Sequence, residues 1–287
     1  MNSSWSKPFT SAHLQYFQAV PPLEDITPEW AWGGSTGKGI KVAVIDSGVD
    51  ASHPALGSGV NGYLSLQEGP EGLTYDSEPH KDDYGHGTAC AGIIRSIAPE
   101  CEIYSIKVLG SSLVGRGNIF IVGLNWAIEN GMHVCNLSLG TVKRDFLAPL
   151  HELADLAYFR NIMLIASANN LTLPLFPSVF SSVISVASHD IKDPYLFYYN
   201  SKPPVEFGAF GINVRVPWLN GGWTTTTGNS FATPHITGIV TLILSKHKGL
   251  TPFQVKTILH ALSSNAARPT DSDQPQTQRE RRVEEME

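Results

Sequence analysis

The sequence predicts an α/β protein, a doubly wound and mostly parallel sheet with helices on both faces. Three observations lead there. From Gly39 onward, short β-branched runs alternate with longer helical patterns. The runs are short and rich in Val and Ile, as buried, mostly parallel strands are. The 287 residues are 42% apolar and 16% charged, enough to fill one large core, which excludes collagen-like, disordered and disulfide-scaffold classes for the body.

The runs KVAVID (41–46), EIYSIKVL (102–109), HVCNLSL (133–139), IMLIASA (162–168) and SVISVAS (182–188) read as strands. Helices are expected between them at 86–97, 117–130 and 145–160. The second carries Ile121, Leu124 and Ile128 at helical spacing and stops at Asn130-Gly131, where a glycine can take the left-handed conformation that ends a helix. After Ser188 the pattern loosens into aromatic, Pro- and Gly-rich, hairpin-like sequence up to Thr227. A long apolar helix at 230–247 follows, then a shorter one at 252–263, where Thr251 can cap and Pro252 suits the first turn. Three parts result. Residues 1–38 are an irregular arm packing on the body through Trp5, Tyr16, Phe17, Trp30 and Trp32; residues 39–263 are the main domain; residues 264–287 lack apolar content and are expected to be a disordered tail.

A net charge of −6 argues against an electrostatic grip on nucleic acid or an anionic membrane. Cys90, Cys101 and Cys135 are too few and too irregularly spaced for a disulfide framework, and no CxxC pair suggests zinc, so a reducing compartment fits. No apolar run reaches the roughly 18 residues that span a bilayer. The first 30 residues include Lys7, His13, Glu24 and Asp25 without an apolar signal core, so the expected location is cytoplasmic.

Three residues carry the chemistry. Asp46 closes KVAVID at the carboxyl end of a buried strand, where open α/β sheets place their sites. His86 lies in DDYGHGTACAGII, with glycines leaving room around the imidazole. Ser230 lies in TGNSFATPHITGIV, where Gly228 permits a close backbone approach and the following helix offers its N-terminal N–H groups to an anion. Singly, these residues read as a turn Asp, a packing His and an N-cap Ser. Together they are the hydroxyl, the imidazole base and the orienting carboxylate of nucleophilic acyl transfer.

The motifs VAVIDSGVDASHPAL, GHGTACAG, VCNLSLG and GNSFATPH resemble the subtilisin-like serine proteases, or subtilases, over about residues 28–263. The chain order Asp46, His86, Ser230 matches that family. The resemblance implies a serine endopeptidase working through an acyl-enzyme, with a peptide or protein substrate. It implies that Gly115-Arg116-Gly117 and Ser138-Leu139-Gly140 are edges to which an extended peptide adds as a β-strand. Asn169 matches the asparagine that binds the tetrahedral oxyanion, with Asn170 the neighbour if the register slips by one. Cys90 resembles the cysteine that some subtilases carry under the histidine, read here as a packing thiol.

Departures stand beside the matches. Asn229 replaces the usual Thr before the nucleophile, Phe231 follows it, and Ala168 puts an extra methyl toward the P1 pocket. A second reading is therefore a weak or inactive subtilase fold acting as a peptide-binding module. A nucleotide-binding protein is disfavoured, since neither GxGxxG nor GxxxxGK[ST] occurs. Ala55 stands where secreted subtilisins carry a calcium-binding Asp, and the ligand loop after the catalytic His is missing, so neither a calcium site of that kind nor a cofactor is expected. Asp82-Asp83 could bind a cation, but an exposed acidic loop is the preferred reading. Residues 1–38 leave no room for a folded prodomain, which makes intracellular subtilisins the closer analogy, and residues 8–29 could cover the active site.

Overall fold

In the computed structural model, which describes residues 26–69 and 72–266, the chain first lays down β1 (Lys41–Asp46), β2 (Gly62–Gly69), β3 (Gly72–Asp76) and β4 (Glu102–Lys107). Then come β5 (Val134–Leu137), β6 (Met163–Ser167), β7 (Ile184–His189), β8 (Tyr198–Tyr199) and β9 (Phe207–Phe210). They form one sheet of order β3-β2-β4-β1-β5-β6-β7-β9-β8. Every pairing from β2 across to β9 is parallel, and only the edge strands β3 and β8 run antiparallel. β10 (Val214–Pro217) and β11 (Trp223–Thr226) make a separate hairpin.

The two faces follow from alternation along β1. Ala43 and Ile45 join the core beneath α3 (Gly117–Glu129) and α4 (Leu147–Phe159), with Leu124, Ile128, Leu150 and Ala154. Val42 and Val44 point the other way, toward α2 (His86–Ile97) and α5 (Asn229–Lys246). Residues Phe231 to Leu244 of α5 are all buried, so this helix shows no polar stripe. It lies so close to α2 that a Cβ on Gly238 would stand 2.7 Å from Ile97 Cβ. A shorter helix, α6 (Pro252–Leu262), starts with a capping box between Thr251 and Gln254.

β4 lies on one side of β1 and β5 on the other, so the winding reverses beside β1. The crevice at the carboxyl end of β1 is where an open α/β sheet binds its ligand. The strands and helices expected from the sequence appear within two residues at each end. Differences lie elsewhere. The β2–β3 hairpin was not foreseen; its inward residues are only Leu64 and Leu66, and β3 is exposed throughout. The arm is not irregular where it is described: Thr27 caps a short helix, α1 (Pro28–Trp32). Trp30 does pack on the body, stacking on His247 at 4.2 Å, while Trp5, Tyr16 and Phe17 lie outside the described residues. The body also runs past Leu262, because Asn265 pairs with both the N–H and the carbonyl of Tyr199; the rest of the expected tail lies outside the described residues.

Candidate active site

β1 delivers Asp46 to the crevice with no exposed surface, and α2 starts its first turn with His86 directly opposite. His86 Nδ1 lies 2.8 and 2.9 Å from the two carboxylate oxygens of Asp46. The Ser47 N–H also donates to Asp46 Oδ1. Two glycines permit this approach. Gly85 takes a left-handed φ of 106°, and a Cβ on Gly87 would fall 2.0 Å from the carbonyl oxygen of Gly48.

Gly85 has no side chain to cap α2, and Asp82 does so from three residues upstream. Its Oδ1 accepts from the N–H groups of Tyr84 and Gly85 and from Ser47 Oγ, at 2.8 to 2.9 Å. Its Oδ2 accepts from the N–H and hydroxyl of Thr88 at 2.8 and 2.7 Å. The expected exposed acidic loop is therefore wrong for Asp82, which is only 6% exposed because its acceptor capacity is spent inside the fold. It holds for Asp83, which is exposed and pairs with Lys107.

Ser230 sits in the first turn of α5, where backbone N–H groups have no intrahelical partner. Four residues later comes Pro234, which lacks the N–H that would bond the Ser230 carbonyl. The freed carbonyl accepts from Ser138 Oγ at 2.8 Å and from the Cys90 thiol at 3.6 Å. Ser138, expected at a substrate edge, thus uses its side chain as an internal tie between β5 and α5. Among the described residues Ser230 Oγ and His86 Nε2 make no hydrogen bond, though both line the same cleft; in unliganded sites this contact commonly tightens only with substrate. The ring of Phe231 meets His86 edge-on at 5.2 Å.

That cleft, of about 870 Å³, brings the remaining expected residues together. Gly115, Arg116 and Gly117 line it together with Ser138, Leu139 and Gly140, and so do Ala168 and Asn169. Leu139 and Gly140 make no backbone hydrogen bond among the described residues, so their main chain is free to pair with another strand. Gly115 has a packing reason as well, since a Cβ there would lie 2.5 Å from the Val108 carbonyl oxygen. Arg116 Nη1 donates to Glu68 at 2.7 Å across the rim. Asn169 and Asn170 differ. Asn170 Oδ1 is occupied by the Asn229 N–H, whereas Asn169 uses Oδ1 on Leu171 and leaves its NH₂ without a partner among the described residues.

Comparison with known proteins decides the family. The model of the subtilase family matches residues 37–280. Minor extracellular protease Epr of Bacillus subtilis (strain 168) is 34% identical over 247 residues, 82% of this chain and 36% of that protein. Subtilisin E of the same organism is 31% identical over 267 residues, 87% of this chain and 68% of that one. A crystal structure of a cold adapted subtilisin-like serine proteinase superposes with a TM-score of 0.66 at 26% identity, covering 81% of this chain and 87% of the other.

The chain belongs to the subtilase family. It is a subtilisin-like serine endopeptidase, and the electrostatics of this subtilase follow from its burial. Desolvation pushes the His86 pKa down, but the charge of Asp46, its hydrogen bond and the charge of Asp82 together outweigh it, so the pKa ends above the usual 6.5. Burial holds the Cys90 thiol well above its ordinary range, which suits packing rather than attack. Asp46, His86 and Cys90 present ligand atoms within 4.8 Å of one another, yet a metal there would have to displace the His86–Asp46 hydrogen bonds and deprotonate that thiol. After His86, which opens it, α2 runs unbroken to Ile97, without an inserted loop. Sequence reasoning does not find Asp82 as a site residue, because the N-cap position itself is Gly85 and the donors to Asp82 come together only in the fold.

Proposed function

We propose that this subtilase cleaves peptide bonds with Ser230 as nucleophile, His86 as general base and then acid, Asp46 as orienter and Asn169 as oxyanion donor. The observation that carries this reading is the buried Asp46–His86 pair facing the cleft that Ser230 lines from a helix N-terminus. Ser230 Oγ attacks the scissile carbonyl while its proton passes to His86 Nε2. Asp46 accepts from Nδ1–H, fixes that tautomer and stabilises the imidazolium. The oxyanion takes hydrogen bonds from the Ser230 N–H and the unpaired Asn169 NH₂. His86 then protonates the leaving amine, and water activated by the same imidazole releases the acyl group.

Substrate binds as an extended strand between the two edges, which the free main chain of Leu139 and Gly140 supports. The methyl of Ala168, 7% exposed, narrows the pocket beside Asn169 and favours a small or slender P1 side chain. Three free, buried cysteines support a reducing, cytoplasmic compartment, and the net charge of −6 supports a protein rather than a nucleic acid or membrane partner. A fluorophosphonate should label wild-type protein at Ser230 and fail on Ser230→Ala, which should fold normally and lose turnover of a chromogenic peptide by about 10⁶-fold. Equal turnover by the two proteins would defeat the assignment.

A further inference from the structure

Asn229 departs from the family's usual Thr, and the structure gives its side chain more to do than a hydroxyl could. Its Oδ1 accepts from the N–H of Ser188 at 2.9 Å and from Ser188 Oγ at 3.0 Å, on β7. Its Nδ2 donates to the carbonyls of Ala168 at 3.2 Å and Asn169 at 3.0 Å, just past β6. The backbone N–H of Asn229 donates to Asn170 Oδ1 at 3.1 Å, and its carbonyl accepts from Thr233 Oγ1 at 2.9 Å. The orientation of the amide is fixed by its partners: a main-chain N–H can only donate and a carbonyl can only accept, so oxygen must face Ser188 and nitrogen must face residues 168 and 169. A carboxylate would present oxygen to both carbonyls, and a hydroxyl is too short to span the two sides.

We infer that Asn229 is a positioning residue that clamps the segment 168–170 to the first turn of α5 and so holds the Asn169 NH₂ at a fixed place relative to the Ser230 N–H. The two oxyanion donors belong to different elements, the loop after β6 and the start of α5. Donors stabilise a developing charge only if their geometry is set before the charge appears. The hydrogen bonds from Asn229 to all three residues of that loop provide the tie, and β7 anchors it from behind.

The inference rests on the assignment of Asn169 made above, and a double-mutant cycle separates the two. Hydrolysis of a chromogenic peptide is read on the alkaline plateau of the pH profile, so that changes in His86 titration do not enter. Asn169→Ala alone should lower kcat by about 10²-fold or more with little change in KM. Asn229→Ala should lower kcat by about tenfold to a hundredfold, again with KM nearly unchanged, and should weaken a peptide boronate inhibitor in parallel. Introduced into Asn169→Ala protein, the same substitution should cost no more than about twofold, since the group it positions is gone. Asn229→Ser, whose hydroxyl is neutral and too short to span the two sides, should behave like Asn229→Ala and replaces it if the alanine variant does not fold. Normal kcat in Asn169→Ala would overturn both the oxyanion assignment and the clamp. A full Asn169 effect combined with undiminished, additive loss from Asn229 substitutions would overturn the clamp alone.

Discussion

The two halves of the site are built from different physics. On the histidine side, two carboxylates lie inside the fold, Asp46 and Asp82 at 0% and 6% exposure, and nearly every contact is a hydrogen bond to a charged oxygen. On the side proposed to bind the oxyanion, Asn229, Asn169 and Asn170 are half-buried or exposed, and the bonds join neutral amides to carbonyls and N–H groups. Charge-assisted bonds in a low-dielectric interior are strong and depend on protonation. Neutral amide bonds are weaker singly, but no protonation change disturbs them between pH 4 and 9. The departures at Ala168 and Asn229 both fall in the neutral half, where shape can be retuned without shifting a pKa.

Substitutions sharpen this contrast in order of size. After Ser230→Ala, Asp46→Asn should cost most, cutting kcat by about 10⁴-fold, because the amide favours the wrong imidazole tautomer while leaving the shape intact; steady-state kinetics read this directly. Asp82→Ala comes next, in stability rather than chemistry. It strands the N–H groups of Tyr84, Gly85 and Thr88 at the start of α2, and a loss of about 2–4 kcal/mol is expected by denaturant unfolding, from a lost cap plus unpaired buried donors. The gentler Asp82→Asn should shift the pH profile. Since Asp82 raises the His86 pKa, removing its charge should move the acid limb of kcat/KM to lower pH. The same measurement on Asn229→Ala should leave the limb in place.

His86 also links stability to pH. Its folded pKa is raised above the unfolded value near 6.5, so its contribution is fully present below about pH 6.5 and fades as pH rises through the folded value. Folding stability and activity therefore run in opposite directions across that window, and thermal melts of Ser230→Ala from pH 5 to 9 should show the decline. Phe231→Met should have the smallest effect, about 1 kcal/mol of stability and a few-fold in kcat, because it removes one edge-on ring contact with His86 and nothing from the hydrogen-bond frame.

Legibility in the sequence tracks the same division. β1 and α2 appear at the residues expected because KVAVID and the glycine-flanked histidine are local signals. The β2–β3 hairpin was illegible because only Leu64 and Leu66 turn inward, too few for a pattern. Asp82 was misread because its burial comes from donors on Ser47 and Thr88, which sequence distance does not reveal. Asn229 was visible as a departure, but what it does depends on Ser188 and Ala168, which only the folded sheet brings within reach. The Ser138 tie depends likewise on the carbonyl that Pro234 leaves free, a consequence of helix position that the dipeptide Ser138-Leu139 does not announce.

That α5 is buried from Phe231 to Leu244 and also carries Ser230, the proposed nucleophile, has a consequence for biosynthesis. More than half the chain separates Asp46 from Ser230, and the sheet between them is built from slow, non-local parallel pairings. On the ribosome, β1 through β7 emerge with an aspartate and a histidine but no hydroxyl to activate. The same helix, α5, contributes both its buried residues to the core and the Ser230 hydroxyl to the cleft. With Ser230 as the proposed nucleophile, competence to cut requires α5 in place on the sheet beside the Asp46–His86 pair.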